Sequence, residues 1–150
     1  MKMTALSALA AVALVALACG VQPVRAAGPA ASVDPAAKAR LVIQVSDADP
    51  KKWALALNNA KNVQTDLGRQ NVEIEIVAYG PGLGMLKFDS EVGGRIAEAI
   101  GEGVQVIACE NTMTNNKLTR DDMLPKIGYA KAGVVEIMNR QREGWAYIRP

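Results

Sequence analysis

The alternation of short, apolar, β-branched runs with longer amphipathic stretches is the feature that most limits how this chain can fold. Residues 41–45, 72–79 and 104–108 are the clearest runs, and they are apolar over most of their length. Strands that are covered on both faces of a parallel sheet have this composition. Stretches with apolar residues three and four positions apart separate the runs, as in helices that pack on a sheet. The pattern predicts an α/β fold with a parallel sheet between helices.

The boundaries of the first helix are marked by residues with known capping preferences. Asp49 followed by Pro50 suits an N-cap and a first helical position, and Gly68 suits the end of the helix. One apolar stripe of this helix is predicted to face the core; it consists of Trp53, Leu57, Ala60, Val63 and Leu67.

The rest of the domain continues the alternation. A second helix is predicted from about Asp89 or Ser90 to Gly101, and a third main helix over residues 133–141, with Val134, Ile137, Met138 and Gln141 in line. The polar stretch 110–125 is predicted to hold one or two short helical turns, one of them at the capping-box-like residues 119–122. Short strands at 127–131 and 145–148 complete the prediction: a single-domain three-layer sandwich, with a mostly parallel central sheet of about five strands and helices on both faces.

Residues 1–26 have the pattern of a signal peptide: a basic start, an apolar run at 5–18, and small residues before Ala27. The run is shorter than the roughly 20 residues of a membrane span. We therefore expect an exported, periplasmic protein with no membrane span, cleaved before Ala27. In an alternative interpretation, residues 16–20 form a lipobox and a lipidated Cys19 becomes the mature N-terminus. Residues 27–39, rich in Ala and Pro, are interpreted as a flexible leader to a domain over 40–150.

Charge and residue usage exclude several classes of function. Loss of Lys2 and Arg25 with the signal peptide leaves 15 basic and 15 acidic residues. The sequence shows no cluster of basic residues, so nucleic-acid binding is not predicted. The chain has no histidine, so neither a Ser-His-Asp nor a Cys-His pair can form. With one cysteine in the mature chain, a zinc or copper site also lacks ligands. A hard cation held by Asp47, Asp49, Asp121 or Asp122 stays an open alternative without a supporting pattern. We therefore expect no metal site and no cofactor.

Ligands of parallel α/β folds lie at the carboxyl ends of the strands. Three segments are predicted to reach that edge: Ser46 with Asp47, residues 79–84, and residues 109–111. The glycines of residues 80–84 have the wrong spacing for a dinucleotide fingerprint, and we interpret them as a tight loop beside the crevice. Two carboxylate pairs, Asp121/Asp122 and Glu73/Glu75, are interpreted as solvated surface rather than as acid–base catalysts.

Cys109 follows the third strand at this edge and has two interpretations. A free cysteine is often a small buried hydrophobe. On the other hand, the polar residues 110–112 follow it, so its sulfur is expected to lie beyond the core, and an unpaired cysteine in an exported protein suggests a reactive thiol. Position alone leaves both interpretations open.

Residues 103–113 (GVQVIACENTM) resemble the corresponding segment of the DsrE/DsrF-like family of small α/β proteins linked to sulfur oxidation and sulfur relay (DsrE/TusD-related). Residues 78–83 resemble that family's loop after the second strand, and residues 132–137 with 141–150 resemble its C-terminal helix and strand. The resemblance implies that Cys109 accepts sulfane sulfur as a persulfide. It also implies a homo-oligomer, a trimer or a hexamer.

The first functional hypothesis is an exported sulfur carrier, sulfurtransferase-like if active, in which the Cys109 thiolate takes sulfur from a donor and passes it to an acceptor protein. A helical turn beginning near Asn111, helped by Lys117 or Arg120, is expected to lower the thiol pKa. The predicted ligand-binding residues around Cys109 are Tyr79, Gly80, Gly82, Asn111 and Thr112. The alternative is a non-catalytic oligomeric binding or assembly module in which Cys109 is buried and structural.

Overall fold

The computed structural model describes residues 38–150. The predicted signal peptide, Cys19 and the leader up to residue 37 lie outside these described residues. The strands of the described part are β1 (Ala39–Val45), β2 (Val72–Ala78), β3 (Gln105–Cys109), β4 (Gly128–Ala130) and β5 (Ala146–Ile148). Its α-helices are α1 (Pro50–Leu67), α2 (Gly93–Gly101), α3 (Glu110–Asn115) and α4 (Gly133–Arg142). Short 3₁₀ helices occupy Arg69–Asn71, Gly80–Leu86 and Arg120–Asp122.

The strands form one sheet in the order β4-β3-β2-β1-β5, and every pairing in it is parallel. This confirms the predicted α/β sandwich with five strands. All five carboxyl ends therefore lie at one edge of the sheet, where ligands of parallel folds bind.

The two faces of the sheet are covered unequally. Helices α1 and α2 pack on one face over the larger core, which contains Trp53, Leu57 and Ile96. Helix α4 packs on the other face over a smaller core of Val42, Val77, Ile137 and Trp145. Within residues 38–150, no helix is both long enough and apolar enough to cross a membrane.

The predicted boundaries of α1 are confirmed. Asp49 is the N-cap, and its carboxylate accepts a hydrogen bond from the N–H of Lys51 over 2.9 Å. Pro50 is the first helical residue, and Gly68 follows the helix with a φ of 85°, which favours glycine. The capping box predicted at Thr119 and Asp122 is also present.

Helix α2 begins later than predicted, at Gly93. The preceding segment is held away from helical geometry by residues that follow the 3₁₀ helix Arg120–Asp122. Lys87 forms an isolated antiparallel β-bridge with Met123, and the N–H of Phe88 donates to the carbonyl oxygen of Asp122 over 2.9 Å. A turn then leads into the helix, in which the N–H of Gly93 donates to Ser90. Tertiary pairing thus overrides the local N-cap preference of Asp89 and Ser90.

The residues predicted to lie in line along α4 do not form one buried face. Ile137 is buried, but Val134 and Met138 are 55% and 49% exposed. The inward side is instead formed by Gly133, Ile137 and the half-buried Arg140, which lie four and three positions apart. The helix therefore presents apolar residues both to the sheet and to the outside.

The interpretation of Glu75 as solvated surface is also wrong. Glu73 is exposed, but Glu75 is completely buried under α4. Its Oε2 accepts hydrogen bonds from Arg140 at 2.7 and 3.1 Å, while its Oε1 has no hydrogen-bond partner among the described residues. Burial raises the pKa of Glu75, and the bonds from Arg140 oppose this only in part.

Candidate functional site

Cys109 is the last residue of β3 and occupies the N-cap position of α3, with extended backbone angles. It lies on the α4 side of the sheet together with Ile107, two positions earlier in the strand. The expectation that its sulfur extends beyond the core is wrong, because the residue is only 5% exposed. The polar residues that follow it belong to α3, and the start of α4 covers the sulfur.

Helix α4 begins directly at the sulfur atom. The backbone N–H of Gly133, its first residue, donates a hydrogen bond to Sγ of Cys109 over 3.3 Å. The helix has ten residues, and its own N-cap residue, Ala132, provides no side-chain hydrogen bond. The cysteine of a neighbouring strand therefore accepts a hydrogen bond from one of the unpaired N–H groups that every helix has at its start.

The close approach of α4 depends on the absence of a side chain at residue 133. A Cβ atom there would lie 3.1 Å from Cβ of Tyr79 and 3.3 Å from Cβ of Cys109. Both distances are shorter than ordinary van der Waals contacts between carbon atoms. Glycine is therefore the residue that lets the helix start reach the sulfur.

Hydrogen-bond donors around Cys109 stabilise its ionised form. Burial raises the pKa of the thiol, but the hydroxyl of Thr112 and the N–H groups of Gly133, Thr112 and Asn111 together lower the pKa of Cys109 below its ordinary value. The N–H of Asn111 is the weakest of these donors toward Cys109, and it also donates a hydrogen bond to the carbonyl oxygen of Lys131 over 3.1 Å. The surroundings thus favour a thiolate despite its burial.

Tyr79, Gly80 and Thr112 are brought together beside Cys109, as predicted from their positions at the strand ends. Tyr79 contacts the same residue, Gly133, that covers the sulfur. The N–H of Gly80 donates a hydrogen bond to Oγ1 of Thr112 over 3.0 Å. Gly80 has a φ of 53°, a conformation that glycine adopts without strain. This turn lets the chain leave β2 and enter the 3₁₀ helix Gly80–Leu86, whose first N–H contacts α3.

Gly82 and Asn111 have different surroundings. A Cβ at Gly82 would lie 2.3 Å from the carbonyl oxygen of Val45, so this glycine is needed for packing against the end of β1. The side chain of Asn111 is exposed. Their assignment as ligand-binding residues stays a prediction.

Neither Lys117 nor Arg120, the two cations expected to lower the pKa of Cys109, is among the groups that do so. Arg120 is bound to Glu110 at 3.0 Å, and its guanidinium lies over the ring of Tyr129. Asp47, at the end of β1, is likewise engaged in ion pairs with Lys52 and Arg149. The groups that lower the thiol pKa are hydrogen-bond donors, not cations. Among residues 38–150, no three His, Cys, Asp or Glu side chains group as metal ligands.

Sequence reasoning missed the contribution of Gly133. The signal was present, because a helix was predicted to begin at that residue and a helix that follows a parallel strand starts at the carboxyl edge. The sequence did not reveal which strand of the sheet pairs with β4. Because β4 pairs with β3, the helix that follows it starts next to the end of β3.

Comparison with known proteins gives similar solved structures of proteins of unknown function. No family model matches the chain, and no curated protein does. A protein of unknown function from Bacteroides thetaiotaomicron, BT1422, has 16% identity and a TM-score of 0.57, with 74% of this chain and 94% of that one covered; at this identity it shares the fold alone.

A protein of unknown function from Methanobacterium thermoautotrophicum, MTH1491, is more similar. It has 39% identity and a TM-score of 0.72, and the match covers 75% of this chain and all of that one. The chain therefore belongs to the same family as the Methanobacterium thermoautotrophicum protein MTH1491.

Proposed function

We propose that the chain is an exported sulfur carrier whose reactive group is Cys109, as in the DsrE/DsrF-like proteins that its sequence resembles. The observation that carries the proposal is the hydrogen bond from the first N–H of α4 to Sγ of Cys109. A thiolate at the start of a helix is stabilised by the helix dipole and by unpaired N–H groups. A purely structural cysteine has no need of donors that favour its charged form.

The proposed reaction exchanges one sulfur–sulfur bond for another. The Cys109 thiolate attacks the sulfane sulfur of a donor RS–S⁻ or of a polysulfide, a new bond forms to Sγ, and the donor's own sulfur–sulfur bond breaks. The bonding electron pair leaves with the rest of the donor: as the thiolate RS⁻ from RS–S⁻, as a polysulfide one sulfur shorter from polysulfide, and as sulfite from thiosulfate. Attack by an acceptor thiolate on the outer sulfur then regenerates the Cys109 thiolate, so that no external oxidant or reductant is consumed.

The burial of Cys109 supports a restricted set of donors. With 5% of the residue exposed, a compact donor such as polysulfide or thiosulfate has better access to the sulfur than a bulky disulfide. Exposure of the sulfur is limited by the backbone of Gly133, so larger donors require the start of α4 to move.

Mass spectrometry of the folded protein tests the proposal. Incubation with polysulfide is expected to add one or more sulfur atoms, and a reductant is expected to remove them. Cys109→Ser should abolish the adduct with little change in fold, because the substitution is nearly isosteric. A wild-type protein that gains no sulfur, and whose thiol reacts only after unfolding, would overturn the proposal.

A non-catalytic assembly module is the second candidate, and a surface observation favours it. Val134, Val135, Met138 and Tyr147 are each at least 40% exposed, and all four belong to α4 or β5 on the thinly covered side of the sheet. Grooves of about 470 and 290 Å³ lie on either side of α4. Contiguous exposed apolar residues are typical of an interface, and we propose that this surface forms a homo-oligomer whether or not Cys109 is reactive.

A further inference from the structure

Helix α4 covers the sheet face that carries Cys109, and it is held there at three points along its length. Its first residue, Gly133, lies on the sulfur, and Ile137 lies in the smaller core. Near its end, Arg140 binds Glu75 of β2 at 2.7 Å. The helix has ten residues, and a helix of this length is marginally stable in water without tertiary packing. Loosening one of these contacts therefore loosens the cover over the sulfur.

The contact near the end of α4 is a charge cluster in which one guanidinium serves three carboxylates. Nη2 of Arg140 lies 2.7 Å from Oε2 of Glu75 and 3.1 Å from Oε1 of Glu136. Nη1 lies 3.2 Å from Oε2 of Glu143, and the guanidinium also lies over the ring of Trp145. With all three carboxylates ionised, the cluster has an excess of negative charge.

Glu75 is the member of this cluster that has no access to solvent. It is completely buried, whereas the side chains of Glu136 and Glu143 are 24% and 50% exposed. A buried carboxylate is costly unless both of its oxygens have partners, and Oε1 of Glu75 has none in the described part of the chain. Because one nitrogen atom of Arg140 binds both Glu75 and Glu136, these two carboxyl groups lie side by side.

The other charged side chains on this face of the sheet do not supply the missing partner. Glu73, two positions before Glu75 on β2, is exposed and adds another negative charge. Arg40 lies opposite Glu73 on β1, and its Nη2 donates to the carbonyl oxygen of Glu143 over 2.7 Å. On β3, the residue opposite Glu75 is the neutral Gln105.

We propose that α4 is a lid over Cys109 whose opening is controlled by the ionisation of Glu75. When Glu75 is protonated, its hydrogen is donated to the adjacent carboxylate of Glu136 and the lid is closed. When Glu75 is ionised, one buried oxygen lacks a partner, and lifting of α4 hydrates it. Opening therefore increases as the pH rises, in agreement with the burial that raises the pKa of Glu75. The inference rests on the proposed function of Cys109 and adds control of access to its thiol.

Hydrogen exchange over residues 133–142, followed by mass spectrometry between about pH 5 and 9 and corrected for the unfolded-chain rates, measures the opening of α4. Glu75→Gln imitates the protonated side chain, because its amide group can donate to Glu136. It is expected to slow the exchange of α4 about tenfold at neutral pH, the effect of one more hydrogen bond to a charged group, and to reduce the pH dependence. Glu73→Gln, an exposed change on the same strand, is the control and should exchange like the wild type.

Glu136→Gln separates the lid from an ordinary ion-pair network, and it provides the test if Glu75→Gln does not fold. In an ordinary network, loss of a carboxylate bound to Arg140 loosens α4. In the proposed lid, Glu75 loses a neighbouring negative charge and gains an amide donor, so the exchange of α4 slows. Equal or faster exchange in Glu136→Gln, or a corrected exchange rate of the wild type that does not change with pH, would overturn the proposal.

Access to the thiol is measured by the rate at which a bulky aromatic disulfide modifies Cys109, divided by the rate for a compact methanethiosulfonate. The ratio cancels the thiolate concentration, and it should fall in Glu75→Gln; an unchanged ratio would contradict the lid. Sulfur loading is measured separately by mass. A protein that shows the expected exchange and ratio but gains no sulfur would lack the proposed function and keep the lid, whereas sulfur loading with pH-independent exchange would remove the lid alone.

Discussion

The backbone N–H of Gly133 and Sγ of Cys109 lie 3.3 Å apart and form a hydrogen bond that joins the start of α4 to the end of β3. The bond links the packing of α4 to the ionisation of Cys109, because Gly133 both covers the sulfur and donates a hydrogen bond to it. A change at either residue should therefore alter both stability and reactivity.

Gly133→Ala is expected to lower the free energy of unfolding by about 1–3 kcal/mol, the usual cost of overpacking. The new Cβ would lie 3.1 Å from Cβ of Tyr79, and it should move α4 away from the sulfur and raise the pKa of Cys109. Urea unfolding and thiolate titration measure the two effects. Gly94→Ala is the control: it lies in α2 with nothing within 4 Å of its Cβ position, and it should stabilise slightly. Equal effects of both substitutions would contradict the packing argument.

The lowered pKa of Cys109 predicts a pH-dependent contribution to stability. A group whose pKa is lower in the folded state stabilises that state above its unfolded pKa, about 8.5 for cysteine, and this contribution is lost as the pH falls through the folded pKa. The free energy of unfolding of the wild type, minus that of Cys109→Ser, should therefore be larger at about pH 9, near the unfolded pKa, than at about pH 6, well below it. Urea unfolding at a series of pH values measures this difference. A difference that grows as the pH falls would contradict the prediction.

Arg140→Met should destabilise the fold by about 3 kcal/mol at neutral pH, because it leaves the buried carboxylate of Glu75 without its partner. The loss should shrink as the pH falls, since a carboxyl group with a raised pKa stabilises the folded state below its unfolded pKa and loses this effect as the pH rises. Arg142→Met, an exposed change on the same helix, is the control. The double variant Glu75→Met with Arg140→Met should recover most of the stability, and thermal unfolding at several pH values decides between these outcomes.

Met138→Glu is expected to break the proposed homo-oligomer, because it places a charge in the exposed apolar surface of α4. Light scattering should show a smaller species than the wild type. Leu55→Glu changes an equally exposed residue of α1, on the other face of the sheet, and should leave the size unchanged. A wild type that is already monomeric would refute the oligomer itself.

Much of the fold could be predicted because local signals and tertiary structure agree. Asp49, Pro50 and Gly68 mark α1 by backbone chemistry that does not depend on distant contacts. The start of α2 could not be predicted in this way, because Phe88 is held by a hydrogen bond to Asp122, more than thirty residues away in the chain.

The site was predicted in outline for a similar reason. Because the carboxyl ends of parallel strands meet at one edge, the sequence alone predicts that Tyr79, Gly80, Cys109 and Thr112 lie near one another. The burial of Glu75 was not foreseen, and position alone could not decide between a buried and an accessible Cys109, because each outcome depends on where α4 lies over the sheet. Nothing in an alternating strand pattern shows that an arginine from a helix 65 positions later will neutralise a carboxylate.

The position of β1 has a consequence for how the domain acquires its structure. The first strand of the domain pairs with the last, with Leu41 opposite Ala146, and the smaller core includes Trp145. Contacts between such distant parts of a chain require a large loop to close, which slows folding. Until residues 145–148 have been synthesised, β1 has an open edge and one face of the sheet lacks a tryptophan. Completion of the sheet and of the smaller core is therefore a late event, which requires nearly all of the domain's residues.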